Sequence, residues 1–149
     1  FKIDLDADKR EESKDVSEKS IKGMHVLLAE DNELNMEIAE FLLQNEGADV
    51  TKAWNGQEIV ELFRKSESGE FDVILMDIMM PVMNGYEATK RIRSLDREDA
   101  KKIPIIAMTA NAFTEDRIRA KEAGMDEHVA KPIDVELLIK VIHKLVKHN

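Results

Sequence analysis

Val73-Ile74-Leu75-Met76-Asp77 places a single carboxylate directly after four consecutive apolar residues. A short apolar run of this kind is typical of a parallel strand that is buried on both faces. A loop through Pro81 and Gly85 follows, and the apolar residues beyond it recur at helical spacing. The segment therefore predicts a buried strand that ends in an acid and is followed by a helix.

The same order of strand and helix repeats on both sides of this segment. Further strands are predicted at 26–29, 50–53, 104–108 and 127–130, followed by helices near 36–47, 56–65, 114–123 and 135–146. Five strands alternating with five helices predict an α/β fold, a doubly wound parallel sheet with helices on both faces. Ligands of such open sheets bind outside the carboxyl ends of the strands, so the residues that end the strands should carry the function.

Composition narrows the class of protein. The chain has 149 residues, no cysteine and a net charge of −9. Basic residues cluster only at 91–102, where acidic residues lie among them, and we interpret that segment as a helix end and a solvated loop. We therefore expect no nucleic-acid partner. No apolar run reaches the roughly 18 residues of a membrane span, so we expect no membrane contact by this piece and a cytoplasmic location.

Residues 1–23 differ in composition from the rest of the chain. They are rich in charged residues and serine, with scattered apolar positions, and we interpret most of them as a linker. Phe1-Lys2-Ile3-Asp4-Leu5 alternates apolar and polar residues, which is compatible with the last strand of a preceding domain. The folded domain is predicted to span 24–149.

Chemically active side chains end strands one, three, four and five: Glu30, Asp31, Asp77, Thr109 and Lys131. Carboxylates that share a crevice repel one another, and a hard divalent cation with oxygen ligands, Mg²⁺ before any transition metal, resolves the conflict. A metal ion, an ammonium and a hydroxyl around one carboxylate suit a transferring phosphoryl group. Because Asp77 ends the most apolar strand, we assign it as the nucleophile that forms an aspartyl-phosphate.

Each of these residues also has a plain structural explanation. Glu30 and Asp31 would favour the N-terminal end of a helix, and Thr109 would serve as an N-cap. Lys131 would suit the surface and Asp77 a turn. Chance placement of the whole set at strand ends is improbable, which favours the functional interpretation.

From Met24 onward the chain closely resembles the receiver domains of two-component response regulators. The matching motifs are Leu28-Ala29-Glu30-Asp31-Asn32, Met76-Asp77-Ile78-Met79-Met80-Pro81 with Gly85, Met108-Thr109-Ala110, and Lys131-Pro132. The resemblance implies a flavodoxin-like (βα)5 sandwich with strand order 2-1-3-4-5. It also implies phosphotransfer from a phosphohistidine to Asp77.

The resemblance further implies the ligands of the metal. Mg²⁺ would be held by Asp31, Asp77 and the backbone carbonyl of Met79, and Glu30 would act through a water molecule. The domain would catalyse its own Mg²⁺-dependent phosphorylation.

The resemblance gives Thr109 and Lys131 contacts with the phosphoryl group and a part in the switch between states. It also implies a cis peptide between Lys131 and Pro132. Three residues before the lysine, where receivers often have a rotating Tyr or Phe, this chain has His128. The resemblance therefore makes His128 a candidate for the same switch role.

The match is closest to receivers of hybrid histidine kinases. The segment Ala29-Glu30-Asp31-Asn32 with Asn35 is typical of that branch, as is Met108-Thr109-Ala110-Asn111-Ala112. The parent implied is a hybrid kinase, a class that can be membrane-anchored through other parts of the protein. Such a parent implies two kinds of partner: a phosphohistidine domain of the kinase and a histidine phosphotransfer protein.

Two other classes of protein use a similar set of residues. A small-molecule phosphatase would commonly carry a second acid two residues after the nucleophile, but that position is Met79, which cannot transfer a proton. A docking module that is never phosphorylated would not need the acidic pair, Thr109 and Lys131 together.

Overall fold

The computed structural model describes residues 21–110 and 114–147. Its core is a five-stranded parallel sheet in the order β2-β1-β3-β4-β5. The strands are β1 (His25–Ala29), β2 (Asp49–Ala53), β3 (Val73–Asp77), β4 (Ile105–Thr109) and β5 (Glu127–Ala130). The predicted fold and strand order are confirmed. Residues 1–5 and Asn111, on which two of the predictions above depend, lie outside the described residues.

Six helices accompany the sheet in the described part of the chain: α1 (Glu33–Asn45), α2 (Gly56–Lys65), α3 (Gly85–Arg93), α4 (Glu98–Lys102), α5 (Thr114–Ala123) and α6 (Val135–Lys147). The first three begin at asparagine N-caps, Asn32, Asn55 and Asn84. Each cap side chain accepts a hydrogen bond from the backbone N–H three residues later. These caps fix where the chain leaves a strand-end loop and becomes helical.

The short helix α4 corrects the prediction of five helices and of a solvated loop in this segment. Glu98 and Asp99 form its first turn and Lys101 and Lys102 its last, the order that the helix dipole favours. Its one buried residue is Ala100. A helix this short, with a single small residue facing the core, has no apolar periodicity to reveal it.

Two apolar cores cover the two faces of the sheet. Leu27, Ile74 and Ile105 pack with α2 and α3, whereas Leu28 and Leu75 pack with α1 and α6 on the other face. Neighbouring residues of a strand thus enter opposite cores, as strand geometry requires. The second core includes Ile21, which is fully buried although it precedes the boundary expected at Met24.

Every residue of β3 is buried, and its register places Met76 beside Ala29 and Asp77 beside Met108. The carboxyl ends of β1, β3 and β4 consequently lie at one edge of the sheet.

Candidate functional site

Asp77 lies at the carboxyl end of β3 with 3% of its surface exposed. The Met79 N–H donates to its Oδ1 at 3.3 Å. Helix α3 begins close to the Asp77 backbone: a Cβ atom added to Gly85 would lie only 2.4 Å from the Asp77 carbonyl oxygen. Glycine at this position therefore allows the loop after Asp77 to return tightly against the strand.

Lys131 is the cation of the site. Its Nζ lies 2.9 Å from Glu30 Oε1 and 3.0 Å from Asp77 Oδ2, so one ammonium is shared by two buried carboxylates. The Lys131 N–H donates to the Thr109 carbonyl at 2.8 Å, which ties the loop after β5 to the end of β4. The peptide bond to Pro132 is cis, which confirms that prediction.

Glu30, Asp31 and Asp77 form a carboxylate cluster, with one oxygen from each lying within 4.8 Å of the others. Glu30 is 2% exposed and accepts a hydrogen bond from the Asn32 N–H at 3.1 Å, whereas Asp31 is exposed. The cluster is thus buried on one side and open to water on the other. This set of hard oxygen donors with an open face fits Mg²⁺, which keeps several waters and few carboxylates.

The charges of the cluster are incompletely compensated. Burial raises the pKa of Asp77 to about 7, and repulsion from Glu30 adds to this, although the hydrogen bond from Lys131 opposes it. Burial alone would lower the pKa of Lys131, but its hydrogen bonds to Glu30 and Asp77 outweigh burial and raise it. Lys131 is therefore a fixed positive charge, and Asp77 is only partly ionised near neutral pH unless a further cation lowers its pKa.

Thr109 ends β4 and is almost fully buried beside this cluster. His128 lies elsewhere, on β5 beside Ala107, with its Nδ1 3.5 Å from Glu127 Oε1. It lines a separate surface depression with Arg117 and Lys121. The structure thus brings together all the predicted strand-end residues but leaves His128 outside the cleft, and its switch role stays a prediction.

A cleft of about 430 Å³ opens over Asp77. Its walls include Asp116 and Arg119 of α5 and Tyr86 of α3, which the sequence analysis did not single out. In the sequence, Tyr86 could have been identified as a cleft residue from its position directly after Gly85, which belongs to the Asp77 motif. The two α5 residues carry no motif that would have identified them.

Comparison with known proteins defines the class. The profile of the response regulator receiver domain matches residues 26–143, most of the chain. The chain belongs to this family.

The chain is similar to two kinases in particular. It is 36% identical to Histidine kinase 1 of Arabidopsis thaliana over 161 residues and 41% identical to Hybrid signal transduction histidine kinase I of Dictyostelium discoideum over 120 residues. These matches cover 88% and 79% of this chain but only 13% and 7% of the kinases.

Solved structures agree with this assignment. The receiver domain of a sensor histidine kinase from Pseudomonas aeruginosa, with magnesium in its active-site cleft, has a TM-score of 0.75 and 36% identity, covering 84% of this chain and 98% of that chain. A yeast receiver domain from Saccharomyces cerevisiae, crystallised with a histidine phosphotransfer protein, has a TM-score of 0.74 and 29% identity, covering 85% and 90%. Among residues 21–110 and 114–147, no helix has the length and apolar character to cross a membrane.

Proposed function

We propose that this receiver domain takes a phosphoryl group from a phosphohistidine onto Asp77, as one step of a phosphorelay. The observation that carries the proposal is the buried Asp77 carboxylate, 3.0 Å from the Lys131 ammonium in an open acidic cleft. An Asp77 carboxylate oxygen attacks phosphorus, and the phosphorus–nitrogen bond of the donor breaks as the new phosphorus–oxygen bond forms. The freed imidazole leaves with its electron pair.

Each side chain of the site has a role in this transfer. Lys131 balances the negative charge that the incoming phosphoryl group brings to the cleft, and the Thr109 hydroxyl donates to one of its oxygens. Asp31, Asp77 and the Met79 carbonyl would hold Mg²⁺, and Glu30 would act on it through a water. When bound, the metal supplies further positive charge to the phosphoryl oxygens.

The surface beside the cleft supports a protein as the phosphoryl donor. Leu34, Ile38 and Phe41 are 64%, 48% and 66% exposed on α1, and their spacing places them along one face of the helix. A depression lined by Ile38, Pro132 and Lys131 joins this stripe to the cleft. The stripe suits the apolar flank of a helix that presents a phosphohistidine, either a kinase domain or a histidine phosphotransfer protein, the kind of partner seen with the yeast receiver.

We further propose that the parent protein is a hybrid histidine kinase, because one relative is named a hybrid signal transduction histidine kinase and the other a histidine kinase. Most of residues 1–23, expected to precede a receiver at 24–149, would then link it to a preceding ATP-binding domain, although Ile21 already packs in the receiver core. The cytoplasmic location remains a prediction from the sequence.

Acetyl phosphate with Mg²⁺ tests the proposal. Mass spectrometry should show one added phosphoryl group, absent in EDTA and absent in Asp77→Asn. The matched control is Asp96→Asn, which removes an exposed carboxylate outside the cleft and should be labelled like the natural chain. A phosphoryl group retained by Asp77→Asn would refute the assignment of the acceptor. No labelling of the natural chain would favour the docking-module hypothesis, and continuous turnover of small phosphate esters would favour a phosphatase.

A further inference from the structure

Tyr86 has an unusual environment for a buried tyrosine. It is the only tyrosine of the chain, and it is 8% exposed in the first turn of α3. Within the described ranges 21–110 and 114–147, its hydroxyl oxygen is the single buried side-chain N or O atom that lacks a hydrogen-bond partner. Because an unpaired buried hydroxyl costs free energy that phenylalanine would avoid, the presence of this hydroxyl suggests that it gains a partner in another state of the domain.

Helix α5 provides the neighbours of this tyrosine. The Arg119 guanidinium lies 4.5 Å from the centre of the Tyr86 ring, a cation–π contact. Asp116 is three residues earlier, so both side chains lie on the same side of α5. Asp116 and Tyr86 line the same cavity. Burial raises the pKa of the Tyr86 hydroxyl, and the negative charge of Asp116 adds to this.

These residues also belong to the phosphoacceptor cleft. Tyr86, Asp116 and Arg119 line the same cavity as Asp77. Since Gly85 packs directly against the Asp77 backbone, the position of Tyr86 is fixed relative to the acceptor. A charge added at Asp77 would therefore be felt by the two charged α5 side chains beside this tyrosine, Asp116 and Arg119.

The two ends of α5 are held differently. Among its described side chains only Ala120 and Ala123 are buried, both in its second half. Beyond its C-terminal end, the Gly124 carbonyl accepts a hydrogen bond of 2.9 Å from Arg93. The described side chains of the N-terminal half, at 115–118, are exposed or half-buried, so burial opposes a shift of this part of α5 less than at the anchored end.

We propose that Tyr86 is a positioning residue of the phosphorylated state, in which its hydroxyl donates a hydrogen bond to the Asp116 carboxylate and fixes the N-terminal half of α5. This inference rests on the proposed function of Asp77. The phosphoryl group adds negative charge to the cleft and attracts Arg119, the cation that α5 contributes to the cleft wall. The movement of Arg119 carries Asp116 with it, because both belong to the same turn of α5.

Raman spectroscopy of the single tyrosine tests this directly, because the intensity ratio of its Fermi doublet reports hydrogen bonding of the phenol. The natural chain should show an unbonded hydroxyl at rest and a strong donor after addition of beryllofluoride and Mg²⁺. The change should vanish in Asp116→Ala and persist in Glu115→Ala, which removes an adjacent acid outside the cleft. A phenol that is already hydrogen-bonded at rest, or that stays unbonded in the complex, would overturn the inference.

The affinity for beryllofluoride provides a second measurement. Tyr86→Phe and Asp116→Ala should each weaken it about ten-fold, and the double variant should be no weaker than either single variant, since both remove one interaction. Additive losses, or affinities equal to that of the natural chain, would refute the pairing. If the natural chain itself fails to bind beryllofluoride, the proposed function fails. If it binds without a change at Tyr86, only this inference fails.

Discussion

Replacing Asp77 with Asn should stabilise the metal-free domain at about pH 8. Asp77 is 3% exposed, and burial with repulsion from Glu30 raises its pKa from 3.8 to about 7. At about 1.4 kcal/mol for each pH unit, ionising this group in the folded state costs up to about 4 kcal/mol. The attraction of Lys131 is already included in that pKa. Asparagine removes the cost of ionisation, but its NH2 group replaces one of two carboxylate oxygens that face hydrogen-bond donors, the Met79 N–H and the Lys131 ammonium. We therefore expect a net gain of about 2 kcal/mol, within the range typical of buried charged groups.

Because folding raises the pKa of Asp77, the stability gained in Asp77→Asn should depend on pH. Because the pKa is raised on folding, the protonated Asp77 contributes stability that is full below about pH 4 and lost as the pH rises through 7. The advantage of Asp77→Asn should accordingly be small near pH 4 and complete near pH 8. Saturating Mg²⁺ should reverse the order, since a ligand at a hundred-fold its Kd stabilises the natural chain by about 2.7 kcal/mol.

Urea unfolding in EDTA, followed by the fluorescence of Trp54, the single tryptophan, measures these free energies. Asp96→Asn serves as the control for loss of an exposed carboxylate and should change stability little at either pH. If Asp77→Asn were equal to or less stable than the natural chain at pH 8 in EDTA, the reasoning about charge in the cleft would be wrong.

Other perturbations test the metal site, a structural ion pair and the lifetime of the phosphoryl group. Asp31→Asn should abolish the rise in melting temperature caused by Mg²⁺ while leaving the fold intact in EDTA, and a rise equal to that of the natural chain would exclude Asp31 as a ligand. Arg97→Lys should lower the free energy of unfolding by about 2 kcal/mol, because Arg97 bonds the Phe63 carbonyl at 2.8 Å and Asp99 at 2.7 Å. Hydrogen bonds from Arg97 hold the pKa of Asp99 below its ordinary range. The free energy of unfolding lost in Arg97→Lys, measured with urea, should therefore be full above about pH 4 and shrink as the pH falls further. A difference between the two chains that does not change with pH would contradict this. Met79→Asn should speed loss of the phosphoryl group about ten-fold, or about 1.4 kcal/mol of barrier, because the exposed apolar Met79 at the mouth of the cleft cannot orient an attacking water; equal or slower decay would show that Met79 gives no protection.

Regular elements with an apolar pattern could be predicted closely from the sequence. The strand expected at 26–29 is observed at His25–Ala29, and the helix expected at 56–65 is observed at Gly56–Lys65. Such segments bury a face whose period is set by their own backbone geometry, so the sequence alone reveals them. The strand-end residues followed from the same pattern, because parallel strands bring their carboxyl ends to one edge.

Contacts between distant polar groups could not be predicted in this way. Arg97 donates to the Phe63 carbonyl, 34 positions away, and nothing in the local sequence selects that acceptor. The lack of a hydrogen-bond partner for the Tyr86 hydroxyl likewise becomes visible only in the folded structure. The composition of residues 1–23 predicts a linker, whereas Ile21 is buried in the core that contains Leu28 and Leu75. Each case depends on tertiary packing, and the apolar periodicity of the sequence carries no information about it.

The electrostatics of the cleft explain why such a site would require a metal ion. A carboxylate attacks phosphorus in its ionised form, but burial and Glu30 hold the pKa of Asp77 near 7. Lys131 offsets only part of this, because its ammonium lies almost equally close to Glu30 and to Asp77, at 2.9 and 3.0 Å. The folded chain therefore supplies one fixed positive charge for two buried acids. Asp31, exposed at the open side of the cluster, adds negative charge where a cation can enter, and a cation held among the three carboxylates would lower the pKa of Asp77 and favour its ionised form at neutral pH.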